Sequence, residues 1–579
     1  MRLKQITAAI LPLTGFSASP LAAQSVTLSP APEWTTCAAE GAICDAPANG
    51  LIRYGAGKKF VYRIAPGPVP CNNATFGDPI LGTAKTCAVA IPAGSTVPAH
   101  RALSATSSLA PAPITDPRAR LGINLAPTIY WSGEQSFANQ MLGAEWRLPA
   151  QGWGYASGAM VKDGEPVEVK PGSPMIAFLT PPAAAATSDA AETRCTWKGK
   201  GRVSVSGPRR DTSRKGNSLS FVWPRNILQK QTVQFEVQES VVSDPIRSID
   251  CRLTTDAPDA IYAPQLLAYL KPFGVLRFLD WSSANGNPAA VTWATRGKPA
   301  GLSIGGSDGV ALEYQIGLTN AVGASPWFTV PLNADADYQQ RMAQMVHDQV
   351  PAGRPVYVEL SNEVWNYQFG QAHQLQKEGV AAKLSDNAFQ SAQYRYAQRV
   401  IDLMAVWSKV YADRPRDLVR VVATQAGNPW VGEILMDWNG GKLRGSVDAI
   451  AIAPYFTVDL AAGGDVVARL ADASRSQIAR EATAYAALAK RTGKRLIGYE
   501  GGQHLIDPAR LDTMVAANRD PRMERIYSDY LAGWSKVSGG DLLTLYSATG
   551  SISGHGAWGL REYAGQPLSE TPKLRGVLH

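Results

Sequence analysis

The chain has 579 residues, 45% of them hydrophobic and 18% charged, with 53 Gly and 40 Pro. This is too long for one compact core, points to three or four domains, and is too apolar for a disordered chain. The formal charge is +8, but eight basic residues against the single acidic Asp211 fall between Arg194 and Lys215. The near-neutral remainder excludes a general nucleic-acid binder, and no apolar run approaches the roughly 20 residues of a membrane-spanning helix.

In chain order, Arg2 and Lys4 precede a mostly apolar stretch, Ile6 to Ala22, broken by Pro12, Gly15 and Pro20. A small-residue cleavage site follows, ending at Ala23. The pattern predicts an export signal over residues 1–23 and a secreted or periplasmic protein. Six cysteines, Cys37, Cys44, Cys71, Cys87, Cys195 and Cys251, suit disulfides in an oxidising compartment. None has C-x-x-C spacing, and the six histidines are scattered, so no metal and no cofactor is expected. Residues 24–90 read as a small module of short β-strands held by disulfides. Cys37–Cys44 and Cys71–Cys87 are the preferred pairs among three connectivities. Its RYGAG (53–57) and PCNNATFGDPILGTAKTCAV (70–89) segments resemble a small β-module attached to many secreted bacterial glycan-degrading enzymes. The resemblance implies carbohydrate or cell-surface binding, with a plain spacer as the alternative. Residues 91–119, rich in Ala, Pro, Ser and Thr, read as a linker.

Leu121–Ala126 is a short apolar strand, followed by Trp131 and an amphipathic stretch, Gln135 to Trp146. Residues 151–256 alternate at period two in several segments and predict a β-sandwich, bridged by Cys195–Cys251. The basic window lies inside it, as a solvated loop or hairpin or as a site for an acidic glycan. After 256, apolar strands at Val275–Leu279, Pro326–Val330, Val356–Leu360, Val419–Thr424, Ala449–Ala453, Arg495–Tyr499 and Leu542–Tyr546 alternate with helical patterns. Continuous apolar strands between helices mean a buried parallel sheet. With Leu121–Ala126 they number eight, which closes a (β/α)8 barrel over residues 120–150 and 257–579, with the sandwich inserted after the first strand. A doubly wound sheet is the alternative, but no Gly-rich phosphate loop follows the first strand.

Chemistry in such a barrel sits at the C-terminal ends of its strands. Those ends carry Trp131 after strand 1, Arg277, Asp280 and Trp281 at strand 2, and Asn362-Glu363 after strand 4. Asn428 and Trp430 follow strand 5, Tyr455 strand 6, Glu500 and His504 strand 7, and His555 and Trp558 strand 8. Two carboxylates among indoles and amides suit a polar, ring-shaped substrate. Indole faces stack on sugar rings, and a retaining glycosidase needs two carboxyl groups about 5–5.5 Å apart.

YVELSNEVWN (357–366) and LIGYEGGQH (496–504) resemble the acid/base and nucleophile motifs of the large retaining glycoside hydrolase clan that includes cellulases, mannanases and xylanases. The segments at 122–134, 244–249, 313–331 and 555–573 are similar to secreted bacterial glycosidase-like proteins with a β-sandwich between strands 1 and 2. The resemblance implies Glu363 as acid/base, Glu500 as nucleophile and Asn362 as ligand of the sugar 2-hydroxyl. It also implies Arg277 and Tyr455 as groups holding Glu500 ionised, and Trp558 as the sugar platform. His504, Trp430, Asn428, Trp131 and Trp281 are further candidate substrate contacts. Glu359, in the opposite phase to Leu360, is expected to be structural or to face outward. The expected partner is a β-linked polysaccharide or oligosaccharide. The rival readings are a non-catalytic envelope glycan-binding protein and a transglycosylase using the same covalent intermediate.

Overall fold

A computed structural model describes residues 34–45, 51–57, 59–64, 68–76, 79–80, 83–90, 117–156, 160–227, 231–299, 302 and 309–579. The expected export signal and nearly all of the expected linker lie outside the described residues. The chain divides into two compact units, Met1–Ser108 and Leu109–His579.

In the first unit, Thr35–Ala39, Thr86–Ala90, Leu51–Ala56 and Lys59–Ile64 form a four-stranded antiparallel sheet in that order. Disulfides Cys37–Cys44 and Cys71–Cys87 close over a small core of Ile52, Tyr54, Val69 and Phe76. So few apolar groups bury little surface, and covalent links compensate. Gly55 sits where a Cβ would lie 2.0 Å from the Lys59 carbonyl oxygen, so the turn of the RYGAG segment requires glycine there.

The second unit is built on a closed barrel of eight parallel strands. They are β1 (Leu121–Asn124), β2 (Val275–Arg277), β3 (Ser325–Val330) and β4 (Val356–Leu360). β5 (Leu418–Ala423), β6 (Ala449–Ile452), β7 (Arg495–Gly498) and β8 (Leu543–Leu545) complete it. β8 closes on β1 through Leu543 opposite Leu121 and Leu545 opposite Ile123. This is the (β/α)8 barrel expected from the strand count, with strand ends displaced by one or two residues. Every strand is buried on both faces. One phase, including Val275, Trp327, Tyr357, Val421, Ala451 and Ile497, fills the barrel interior. The other phase packs outward against the helices.

Helices Pro264–Leu270, Leu312–Val322, Ala336–Gln349, Ala388–Val410, Val466–Thr492 and Met523–Ser538 fall on the six helical patterns of the sequence, Tyr262–Leu270, Val310–Val322, Asp335–Gln349, Asn387–Tyr411, Val466–Arg491 and Met523–Lys536. Helices Gly370–Ala381, Pro429–Gly441, Leu511–Arg519 and Pro572–Leu578 do not appear among those patterns. Among the described residues, no helix is long and apolar enough to cross a membrane.

Between β1 and β2 lie a short hairpin, Val161–Lys162 with Glu165–Pro166, and two larger antiparallel sheets. One runs Gly201–Ser206, Val233–Ser240, Met175–Leu179, Trp146–Leu148, Gly154–Tyr155, and the other Arg210–Lys215, Ser218–Val222, Glu192–Lys198, Arg247–Leu253. Trp197 of the second packs edge-on against Phe235 of the first, 6.3 Å between ring centres. Cys195 and Cys251 are directly opposed on neighbouring strands of one sheet, so their disulfide ties that sheet internally and does not bridge the two layers. The basic window forms strands. Its last, Arg210–Lys215, is exposed throughout on a sheet edge, where charge discourages further strand pairing. The loops after β1 and β8 are joined by a buried ion pair, Glu134–Arg561, with the Arg561 guanidinium 3.6 Å above the Tyr269 ring.

Candidate active site

Arg277, the last residue of β2, is fully buried in the barrel interior. Its guanidinium donates from Nη1 to Glu500 Oε1 at 2.9 Å and to Asn124 Oδ1 at 3.0 Å, and from Nη2 to Asn362 Oδ1 at 2.8 Å. It also forms a paired contact with Glu359, at 3.1 Å from Nε and 2.9 Å from Nη2 to Oε2. One cation thereby ties strands β1, β2, β4 and β7 at their C-terminal ends. Glu359 shares the interior phase of Tyr357, has no exposed surface, and accepts a further bond from Trp327 Nε1 at 2.9 Å. It does not face outward. In this barrel the outward face is the apolar, helix-packed one, so the phase opposite Leu360 is the interior.

Glu500 follows β7 and is buried. Its Oε2 accepts the Tyr455 hydroxyl at 2.9 Å. Burial pushes its carboxyl pKa up, opposed by the Arg277 charge and the Tyr455 hydrogen bond. Glu363 lies beyond the end of β4, where Ser361 and Glu363 both adopt left-handed backbone, with φ of 61° and 42°. Such residues cost on the order of 1–3 kcal/mol each and are over-determined by their surroundings. Here the twist turns the chain so that Asn362 reaches Arg277, and Glu363 accepts from Tyr499 Oη at 3.2 Å and from Asn366 Nδ2 at 2.9 Å. Glu363 is pushed up to about 7, first by burial and then by the Glu500 charge. Of the two, only Glu500 has a cation in direct contact, so its surroundings favour the ionised form more than those of Glu363 do.

One wall of the mouth is aromatic. Tyr455, His504, Trp558 and Tyr546 follow one another with ring centres 5.0, 5.6 and 5.7 Å apart. Trp558 Nε1 donates to His504 Nδ1 at 3.2 Å, which puts the imidazole proton on Nε2, and burial lowers the histidine pKa and keeps the ring neutral. Gly556 allows Trp558 to fold back, since a Cβ there would lie 2.2 Å from the indole.

Glu363, Glu500, Asn362, Arg277 and Tyr455 are thus linked directly or through one another, and His504 and Trp558 join them through the aromatic wall. The other candidates lie elsewhere. Trp281 is 1% exposed, donates its indole N–H to the Ala126 carbonyl and packs on Phe137 and Phe278, so it is core and not a substrate contact. Trp430 stacks on Phe389 in the first turn of its helix, and Asn428 caps that helix from a loop whose carbonyls accept from Tyr485. Neither touches the carboxylate cluster among the described contacts. Trp131 is exposed on the loop after β1.

Asn124, Asn285, Tyr499 and Tyr546 are not among the site residues expected from sequence, and Asp280 is expected only as a strand-end residue with no role. Asn124 Nδ2 donates to the Tyr499 and Leu545 carbonyls, and Asn362 Nδ2 donates to Asn285 Oδ1 at 3.1 Å. Asp280, three residues beyond β2, is raised to about 7 by burial and by Glu500, and its charge is the main influence on the Tyr546 phenol. Among the described residues, no cluster of three or more His, Cys, Asp or Glu side chains has the arrangement of a metal site.

No protein-family model matches the chain. No curated protein matches it either. Solved structures similar to it include the GH51 arabinofuranosidase of Xanthomonas axonopodis pv. citri, at 12% identity and TM-score 0.32, over 50% of this chain and 60% of that one. A family 51 α-L-arabinofuranosidase of Bifidobacterium longum aligns at 10% identity and TM-score 0.37, over 56% and 69%. A β-glucosidase of Thermotoga maritima aligns at 12% and 0.30, over 54% and 84%. The chain therefore spans only three-fifths of the first of these.

Proposed function

We propose that the protein is an exported, retaining glycoside hydrolase that cleaves a β-linked polysaccharide or oligosaccharide. The observation that carries this reading is the pair of carboxyl groups in one barrel mouth with opposite surroundings. Glu500 is held by a guanidinium and a phenol, while Glu363 has only neutral donors and a pKa near 7. Separation of two carboxyl pKa values by environment assigns acid and nucleophile. In the first step the Glu363 proton passes to the glycosidic oxygen as Glu500 Oε attacks the anomeric carbon, forming a glycosyl ester and releasing the leaving sugar. In the second, the Glu363 carboxylate takes a proton from water as that water attacks the anomeric carbon and frees Glu500.

Arg277 and Tyr455 keep Glu500 ionised and aimed. Asn362, its carbonyl oxygen held by Arg277, retains an N–H for the sugar 2-hydroxyl. Trp558 and neutral His504 form the side of the subsite that meets the ring. The three disulfides support an oxidising, secreted or periplasmic location. The N-terminal module is proposed as a glycan-binding accessory. The test is a screen of the purified protein on neutral and acidic β-glycans with product analysis. New reducing ends from at least one glycan, lost in Glu500→Gln, support the reading. Binding without cleavage of any glycan would instead make this a binding protein.

A further inference from the structure

Among the described residues, only three large aromatic side chains are exposed: Trp131 at 57%, Trp153 at 47% and Tyr155 at 59%. The other exposed large hydrophobics are aliphatic and scattered. All three aromatics fall in one region. Trp131 follows Tyr130 on the loop after β1, at the C-terminal end of the barrel. Trp153 and Tyr155 lie on the hairpin that edges the five-stranded sheet. Phe178 joins the two, with its ring 4.9 Å from Tyr130 and 5.9 Å from Trp153. Tyr155 is fixed by Arg147, whose guanidinium lies 3.6 Å over the ring, donates to the Trp153 carbonyl and pairs with Glu145. Trp153 and Tyr155 are therefore held in place by Phe178 and Arg147.

The backbone keeps Trp153 there at a cost. Its φ is 64°, in the left-handed region that a bulky residue rarely adopts. Next to this surface lies a small groove. It is lined by Gly133 of the same β1 loop, Pro181 and Pro182 just beyond Phe178, and Tyr563 and Ala564 of the segment that follows Trp558. Aromatic rings and groove thus share two chain segments, 130–133 and 178–182, and lead from the sandwich to the loop after β8.

We infer that Trp131, Trp153 and Tyr155 form a glycan-binding surface at the seam between sandwich and barrel, holding a neutral polysaccharide chain outside the catalytic mouth. Flat, rigid, amphipathic rings pair an apolar face with a polar edge at little entropic cost, which suits the apolar faces of successive sugar rings. The inference rests on the proposed hydrolase reading for the identity of the chain it holds, and is tested separately from it.

The experiment is affinity gel electrophoresis of the full chain carrying Glu363→Gln, in gels containing hydroxyethyl cellulose, barley β-glucan, galactomannan or xylan. At least one glycan is expected to retard the protein. Trp153→Gly and Tyr155→Ala are each expected to weaken that retardation by about tenfold or more. Trp153→Gly removes the ring and relieves the left-handed strain, so its melting temperature should not fall, whereas a merely structural tryptophan would destabilise on removal. Retardation by none of the glycans, or retardation unchanged in both variants, overturns the inference. So does a dimer in sedimentation velocity that the same substitutions disperse. Patch-dependent binding with no hydrolysis by the unsubstituted chain leaves the inference standing and removes the hydrolase reading. Hydrolysis with patch-independent binding does the reverse.

Discussion

Tyr455→Phe isolates one of the two contacts that hold the charge of Glu500. The substitution deletes a hydroxyl that donates to Glu500 Oε2 at 2.9 Å and leaves the ring, with its 5.0 Å packing on His504, in place. The Arg277 contact to Oε1, also 2.9 Å, remains. A hydrogen bond to a charged group contributes about 1.5–3 kcal/mol, and 1.36 kcal/mol corresponds to one pKa unit. The carboxyl of Glu500 should therefore rise by about 1–2 units. In the proposed mechanism Glu500 must be ionised and Glu363 protonated, so kcat/KM against pH is a bell. Its acid limb reports mainly Glu500, and its alkaline limb, near 7, mainly Glu363. Tyr455→Phe should move the acid limb up by about 1–2 units, leave the alkaline limb nearly fixed, and so narrow the bell. At pH values below the acid limb, kcat/KM should fall by about 10–100-fold relative to the unsubstituted protein. The assay is hydrolysis of an aryl glycoside of the accepted sugar from pH 4 to 9, with melting temperatures measured alongside. An acid limb that stays in place in a folded variant would refute the assignment of Tyr455 as a support of the ionised nucleophile.

Three further outcomes follow from the same geometry. Glu363→Ala should slow glycosides with poor leaving groups strongly and activated aryl glycosides much less, with azide restoring turnover with retention; equal losses on both substrate types would remove Glu363 as the acid. In the folded protein Glu363 is raised to about 7 from an ordinary value of 4.5, so the unfolded chain loses its proton first as pH rises. Stability from this group is present below 4.5 and lost through about 7, a difference of up to about 3 kcal/mol. Denaturant titrations should accordingly show Glu363→Gln gaining stability over the parent at pH 8 relative to pH 5. Glu359→Gln should cost about 3 kcal/mol in the same titrations, at the low end for a broken buried pair because Arg277 keeps Glu500, Asn124 and Asn362; a neutral effect would mean that Glu359 does not hold Arg277.

The barrel was legible because its strands are continuous apolar runs separated by helix-length segments. Two catalytic candidates were legible because Asn362-Glu363 and Glu500 end such runs. Phase is harder to read when both faces of a strand are buried. Glu359 and Leu360 lie on opposite faces of β4, and hydropathy alone does not say which face meets the helices. Arg277 pairing with Glu359 settles it. Trp281 and Trp131 are both tryptophans just beyond a strand end, yet one is core and the other solvent-exposed. The difference depends on Phe137, brought in from 144 residues away by the loop after β1. The helix Gly370–Ala381 is hard to read in the sequence because Gly370, Gly379 and the interspersed Gln371, Gln374 and Gln376 blur its apolar stripe. Asn124 and Tyr499 act through contacts more than 100 residues distant in sequence, which no local pattern encodes.

The central claim is that Glu500 forms a covalent bond to the sugar. It is tested most directly by incubating the protein with a 2-deoxy-2-fluoro glycoside bearing a dinitrophenyl leaving group, of the sugar that the glycan screen identifies. Intact mass and peptide mapping then locate any adduct. The account expects one fluoroglycosyl group per chain, on the peptide containing Glu500, with loss of activity in step with labelling and no adduct in Glu500→Gln. Turnover of the parent substrate with no adduct, or an adduct on Glu363 or Asp280 instead, would contradict it.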